Sequence, residues 1–308
     1  MRKGKIRYRR TRHADLVPAM RLIISTINHL YRKTGRQPIK ARITKPWPLM
    51  EHRLRTDPEG TFVAVNEKDK MIGFCLSLVR EQEWYLAQLF VKPSYQTKGV
   101  GARLLEKAMH YGKCNNCNRW GLCTFSSNEQ ALALYSRSGM PPQRPILELR
   151  RTLNDKTTIR DLTPEINLRC REVTQERFIN RLNQLDHKAR KTRRPEEHFF
   201  WLGDSNSHTY TFYNERKLVG YSVANNSGHI GPVVASRPRY LTSLLAATIN
   251  ITRGNNITMQ SLYLPGECGA ILQSLLAVDF RIDQVFLEMA SEKLADLSIY
   301  LPGNLAHY

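Results

Sequence analysis

Val91-Lys-Pro-Ser-Tyr-Gln96-Thr-Lys-Gly99-Val-Gly101-Ala-Arg103-Leu-Leu reads as the end of a strand, a short loop and the opening of a helix. Upstream, Trp84 to Val91 is an apolar β-like run. Downstream, Leu104, Leu105, Ala108 and Met109 carry helical spacing. Two glycines sit where loop becomes helix. Such a layout builds an anion cradle. Glycine lets the backbone approach a ligand closely, and the free amides of a helix N-terminus, helped by the helix dipole, point at a phosphate. A lone Gly-x-Gly also fits an ordinary strand-to-helix turn. The spacing here, Gln96-x-x-Gly99-x-Gly101 after a Val-x-Pro strand exit, is neither the Walker spacing nor the three-glycine dinucleotide fingerprint.

The stretch resembles the pyrophosphate loop of the GCN5-related N-acetyltransferases (GNAT), which hold the diphosphate of acetyl-CoA. A second motif carries the same resemblance. Cys123-Thr-Phe-Ser-Ser-Asn128-Glu-Gln-Ala131-Leu-Ala-Leu134-Tyr135-Ser-Arg-Ser-Gly139-Met140 reads as a strand, a helix capped at Ser127 or Asn128, and a glycine C-cap. It is similar to the family's Asn-x-x-Ala-x-x-Leu-Tyr-x-x-x-Gly-Phe block. The resemblance implies that Gln96, Thr97, Lys98, Gly99, Val100 and Gly101 cradle the diphosphate, and that Asn128 touches the pantetheine arm. It also implies that a main-chain amide of Leu89, Phe90 or Val91 polarises the thioester carbonyl, with Tyr135 as general acid. Lys98 and Arg103 are placed to neutralise phosphate charge. A phenol with pKa about 10 suits a proton donor at neutral pH.

The general base is harder to find. Many relatives carry an acidic residue within the strand before the cradle, but Tyr85-Leu86-Ala87-Gln88 holds no carboxylate. Glu81 and Glu83 at the strand's entry are the candidates, acting through water, and both also read as surface charges. Some tandem relatives use the chain's terminal carboxylate, which here belongs to Tyr308.

The 308 residues suffice for two domains, and the second half reads as a degraded copy of the first. Thr61-Phe-Val-Ala-Val-Asn-Glu is echoed by Thr209-Tyr-Thr-Phe-Tyr-Asn-Glu, and Ile72-Gly73-Phe74 by Val219-Gly220-Tyr221. The chemistry is not copied: by offset, Asn128 maps to Cys268 and Tyr135 to Leu275, and no glycine loop follows Pro238. The expected architecture is α/β (α+β), two tandem acetyltransferase-like domains, each a mixed, mainly antiparallel sheet flanked by helices. Residues 1–154 form the acetyl-CoA domain, closed by a strand over Ile146–Leu153. Residues 155–308 form a degenerate domain completing the substrate cleft.

Residues 1–154 hold 29 Lys and Arg against 11 Asp and Glu, while 155–308 hold 18 against 16. One cofactor does not require so large an excess. It reads either as a basic soluble surface or as an attraction for nucleic acid or the ribosome, although no nucleic-acid motif accompanies it. A second basic run, Lys188, Arg190, Lys191, Arg193 and Arg194, is expected on a solvated face. Cys114-x-x-Cys117 lacks a second ligand pair, so no metal is expected and the six cysteines read as free thiols. With no apolar run near about 20 residues and no signal-like h-region, a cytoplasmic protein without a membrane span is expected. The favoured reading is an acyl-CoA-dependent N-acetyltransferase acting on a small-molecule or protein amine. The alternative is an acyl-CoA-binding or docking module on an acidic partner.

Overall fold

The computed structural model describes residues 5–153, 162–253 and 257–306. The fold is mixed α/β, with mainly antiparallel strands flanked by helices. Two compact units emerge, residues 1–122 with 127–140, and 123–126 with 141–308.

In the first unit, β1 (Arg7–Arg10) leads through a 3-10 turn to α1 (Leu16–Lys33) and α2 (Pro48–Thr56). Then come β2 (Thr61–Val65), β3 (Met71–Arg80), β4 (Glu83–Val91), α3 (Val100–Cys114), β5 (Arg119–Phe125) and α4 (Glu129–Arg137). The strands pair β1-β2-β3-β4 antiparallel, and β4 pairs β5 in parallel. Period-2 alternation in β3 splits its side chains between two layers. Phe74 and Leu76 join the core with Leu16, Met20 and Ile23 of α1. Gly73 faces α3, where an added Cβ would lie 2.8 Å from Leu104 and 3.2 Å from Val100. That missing side chain lets the first turn of α3 lie against the sheet. Asp15 is the N-cap of α1 but makes no side-chain cap bond there. Its carboxylate instead accepts from the Arg12 amide and from both Arg9 guanidinium nitrogens, fixing the 3-10 turn.

The second unit repeats the element order with β7 (Arg169–Val173), α5 (Ile179–Arg190), α6 (Pro195–Gly203), β8 (Ser207–Asn214), β9 (Lys217–Asn225), β10 (His229–Ala235), α7 (Pro238–Ile251), β11 (Met259–Pro265), α8 (Gly269–Ala277) and β12 (Arg281–Ala290). A short β13 (Tyr300–Leu301) follows. The strand expected to close the first repeat is β6 (Pro142–Thr152), and it pairs inside this unit, between β11 and β12. The compact units therefore part at 140/141, where the sequence pattern suggests 154/155.

The basic run 188–194 is not uniformly solvated. Arg190 and Arg194 are 4% and 2% exposed. Arg194 donates to Asp186 at 2.9 Å, to Tyr221 at 2.9 Å and to Tyr300 at 3.1 Å, while His198 meets the other Asp186 oxygen at 2.6 Å. Buried charge persists only with such partners. Among the described residues, no helix is long and apolar enough to cross a membrane.

Candidate active site

The site begins with a fault in β4. Register with β3 shifts between Leu76↔Gln88 and Ser77↔Leu86, leaving Ala87 as an extra residue. Such a bulge kinks a strand and raises its twist. On its other side β4 pairs β5 only from Glu83↔Arg119 to Leu86↔Leu122. Beyond Leu86, β4 stays with β3 while, among the described residues, β5 no longer pairs with it. Main-chain groups of Ala87–Val91 on that side have no strand partner. Leu89, Phe90 and Val91, the expected carbonyl-polarising stretch, lie in this half-buried segment. The Phe90 side chain packs against the α1 core, on the opposite face from α3.

The loop after Val91 is tied down by its own residues. The Lys92 amide donates to Ile72 O at 2.8 Å, and Pro93–Tyr95 form a 3-10 turn. Gln96 returns its Nε2 to Val91 O at 3.0 Å, so its side chain fastens loop to strand. Lys98 donates to Ser94 O at 2.7 Å and lies 5.3 Å from the Tyr95 ring centroid. Thr97 and Gly99 have positive φ, 60° and 81°. Gly99 is the N-cap of α3 and brings no side chain to its amides, and the first-turn amides of Val100 and Gly101 have no intrahelical acceptor. A Cβ on Gly101 would make ordinary contacts, 3.6 Å from Val91 and 3.8 Å from Leu134. Gly101 therefore faces the gap between β4 and α4. Arg103, exposed in the first turn, pairs with Glu106 at 2.5 Å.

Across that gap, Asn128 is the N-cap of α4, its Oδ1 accepting from the Ala131 amide at 3.3 Å. Its side-chain NH2 makes no hydrogen bond among the described residues. The helix ends on Gly139 at φ 86°, with the Met140 amide donating to Tyr135 O at 3.1 Å, a Schellman-type cap. Tyr135 is 5% exposed and lies close to Cys75, which is in register with Leu89. No hydrogen bond to its hydroxyl is formed among the described residues. Burial, and secondarily the Cys75 thiol, push the phenol well above its ordinary pKa. It stays protonated at every physiological pH.

The proposed bases lie elsewhere. Glu83 is 1% exposed and ion-paired to Arg119 at 3.3 Å. It sits at the closed end of the β4–β5 pair, six residues before Leu89, or about 20 Å along an extended strand. Next to it, Asp57 pairs with Arg80 at 3.1 Å, giving a buried layer of ion pairs. Glu81 is exposed at positive φ in the β3–β4 turn, at that same far end. Neither carboxylate reaches the gap. Tyr308 lies outside the described residues.

Among the described residues, the second unit has no counterpart of this site. Two residues, 236 and 237, join β10 to α7, where eight, 92–99, join β4 to α3. Pro238 opens α7 and removes an amide. Cys268, the N-cap of α8, makes no cap bond, and Leu275 is fully buried in the place of Tyr135. The parallel pairing of β10 with β11 covers only His229 and Ile230. Beyond it, β13 pairs with β10 at Val233↔Leu301 and Val234↔Tyr300. The chain's own C-terminal strand thus occupies the edge that β4 leaves open. The spacing of Tyr300-Leu-Pro-Gly303 alone gives no signal for that pairing.

The comparisons agree with this architecture. Residues 26–140 match the Acetyltransferase (GNAT) family, and the chain carries a domain of that family. Over 121 residues it is 23% identical to a Bacillus subtilis (strain 168) protein assigned as a ribosomal protein bS18-alanine N-acetyltransferase, covering 39% of this chain and 77% of that one. A crystal structure of an assigned acetyltransferase from Pyrococcus horikoshii superposes with TM-score 0.73 at 16% identity, over 100% of this chain and 97% of that one. A tandem GNAT protein from the clavulanic acid biosynthesis pathway gives 0.59 at 12% identity, over 93% and 98%. The two structural likenesses are likenesses of fold. The family match and the acetyltransferase relatives support N-acetyltransferase activity in general.

Proposed function

We propose that the first unit binds acetyl-CoA across the gap between β4 and α4 and transfers its acetyl group to an amine by direct attack. One observation carries the reading. The bulge at Ala87 opens β4 from β5 directly before a loop that ends on the αL Gly99 and the free first-turn amides of α3. The residues fit the donor: Thr97–Gly101 offer main-chain amides to a diphosphate, Asn128 stands across the gap with an NH2 that makes no hydrogen bond among the described residues and suits an amide-bearing arm, and Lys98 supplies positive charge, whereas Arg103 lies on the other flank of α3. The repeat unit is taken as 1–154 and 155–308.

The amine lone pair attacks the carbonyl carbon, the C–S bond breaks, and its electron pair leaves on sulfur. Main-chain amides of Leu89–Val91 stabilise the developing oxyanion. Tyr135 holds its proton as a hydrogen-bond donor to the departing thiolate. With Glu83 locked to Arg119, the acceptor arrives neutral or loses its ammonium proton to water, and the N–H proton released after attack passes through water to the departing thiolate, giving the amide and free CoA thiol.

The test is thiol release from acetyl-CoA against a panel of amines: polyamine, aminoglycoside, lysine analogue and peptides with a free N-terminus. Release with at least one acceptor, abolished in Gly101→Glu, is expected. Tight acetyl-CoA binding without release across the panel would leave a binding module.

A further inference from the structure

We infer that a second, separate site on the first unit binds the phosphodiester backbone of a nucleic acid strand. A groove of about 480 Å³ runs between α3 and the β1–β2 edge. Arg10, Arg103, Lys107 and Lys113 line it, with His110 at its side and Glu106 as its one carboxylate. Its floor is Phe62, 8% exposed, whose ring already lies under two cations, Arg10 at 5.0 Å and Lys107 at 6.0 Å. Arg103 is neutralised in part by Glu106, and Arg10 only weakly by Glu59 at 3.8 Å. Lys107 and Lys113 meet no carboxylate among the described residues.

The groove is not part of the acetyl-CoA gap. On α3, Gly101 faces Val91 and Leu134, whereas Arg103 and Lys107 face Phe62 and Arg10 on the opposite flank. From Arg103 to Lys113 the helix rises about 15 Å, long enough for several backbone phosphates and longer than one phosphate group needs. The chemistry favours phosphates over an acidic peptide. An acidic helix needs an apolar floor for its own apolar face, and the single aromatic here is covered by cations. A row of cations spaced along one helix is the arrangement for backbone binding that does not depend on sequence.

The experiment uses the full chain and a fluorescein-labelled 20-nucleotide oligouridine, read by anisotropy between 50 and 200 mM salt. Binding is expected, with log affinity falling against log salt at a slope of about −2 to −3, as three or four neutralised phosphates of a single strand give. Lys107→Glu with Lys113→Glu should weaken it at least tenfold. Lys217→Glu, an exposed cation of the second unit, should change it less than twofold. The double variant should keep wild-type acetyl-CoA affinity, which also reports that it is folded. Unchanged RNA affinity in the double variant overturns the proposal. So does displacement of the RNA by polyglutamate or tripolyphosphate at equal charge concentration, which would assign the groove to acidic peptides or small polyphosphates. Loss of acetyl-CoA affinity in the double variant would overturn the separation of the two sites.

Discussion

Gly101 and Gly99 stand two residues apart, yet alanine should act on them in opposite ways. At Gly101 the backbone is ordinary and the added methyl would touch Val91 at 3.6 Å and Leu134 at 3.8 Å, normal van der Waals distances. The protein alone gives no reason for glycine there. Alanine is a better helix former by up to about 1 kcal/mol, so Gly101→Ala should leave stability unchanged or raise it by a few tenths of that. The same methyl projects into the gap between β4 and α4. If acetyl-CoA threads that gap and rests on the α3 amides, the donor must shift and lose about one charge-assisted hydrogen bond. Such a bond is worth about 1.5–3 kcal/mol, so affinity should fall about 10- to 150-fold. At Gly99 a Cβ would meet nothing within 4 Å, but φ is +81°. A side chain in that left-handed conformation costs about 1–2 kcal/mol, so Gly99→Ala should lower stability, with the αL turn under strain. Calorimetric titration with acetyl-CoA and urea denaturation of both variants separate the effects. A Gly101→Ala protein as stable as wild type that binds acetyl-CoA with wild-type affinity refutes the placement of the donor.

Four further outcomes follow from the geometry. Tyr135→Phe should lower kcat about ten- to a thousand-fold with acetyl-CoA binding nearly intact, and the wild-type pH–rate profile should show no limb from this phenol, because burial holds it protonated; full activity in the Phe variant would make Tyr135 a packing residue. Glu83→Gln removes the charge beside the buried Arg119 and should cost about 3 kcal/mol of stability by denaturant titration, while leaving any acid limb of kcat/KM in place; loss of that limb would restore Glu83 as the base. Asp186, held below the ordinary carboxylate range chiefly by Arg194 and then His198 against the opposing effect of burial, contributes stability that is present at neutral pH and lost as pH falls through about 4 and below; Asp186→Asn should flatten that acid loss in a series of melts, and an unchanged pH dependence would assign it to other groups. Equilibrium dialysis should give one acetyl-CoA per chain, and two would mean that β13 yields its place on β10 to a ligand.

Much of the first unit was legible because its signals are local. The turn at Glu67–Lys70 sits between two apolar runs that become β2 and β3, and the αL glycines at 99 and 139 punctuate two helices where their sequence spacing places them. Residue type alone puts the cap at Ser127 or Asn128, and the structure uses Asn128. What escaped depends on register and on residues far apart in sequence. Ala87 looks like any strand residue, and only pairing with β3 makes it the bulge that frees Ala87–Val91. Glu83 looks like a surface charge, and only the parallel register with β5 sets Arg119 beside it. Arg190 and Arg194 belong to a basic run that reads as solvated; the carboxylate that draws Arg194 inward is on α5, and the phenol both arginines share, Tyr300, is 106 residues beyond Arg194. The groove cations on α3 were visible as charge but not as a site, because Phe62 and Arg10 reach them only through sheet pairing.

The two units show how one fold can keep its core while its loops and strand edges differ. A GNAT-like order of elements is retained in the second unit because apolar periodicity maintains it: Phe212, Val219, Tyr221, Leu244 and Leu275 are all nearly or fully buried. The features missing there are those that folding does not demand. A two-residue turn joins β10 to α7 as well as an eight-residue loop would, and Pro238 starts the helix more firmly than an αL glycine does. Asp279 takes the left-handed C-cap that Gly139 holds in the first unit, at φ 67°, and the Phe280 amide still closes on Leu275 O at 3.1 Å. Glycine at 99 and 139, asparagine at 128 and a phenol at 135 are therefore not equally informative. Gly139 serves the helix end, since an aspartate at the matching site does the same work. A buried hydroxyl at 135 serves no described partner, and leucine fills the equivalent place. A long loop with a non-glycine residue, Thr97, at positive φ, an open strand edge and a hydroxyl without a partner among the described residues are costs to folding that the matching places of the second unit do not carry. Their retention together around one gap in the first unit is the physical argument that a ligand, and not the fold, specifies them.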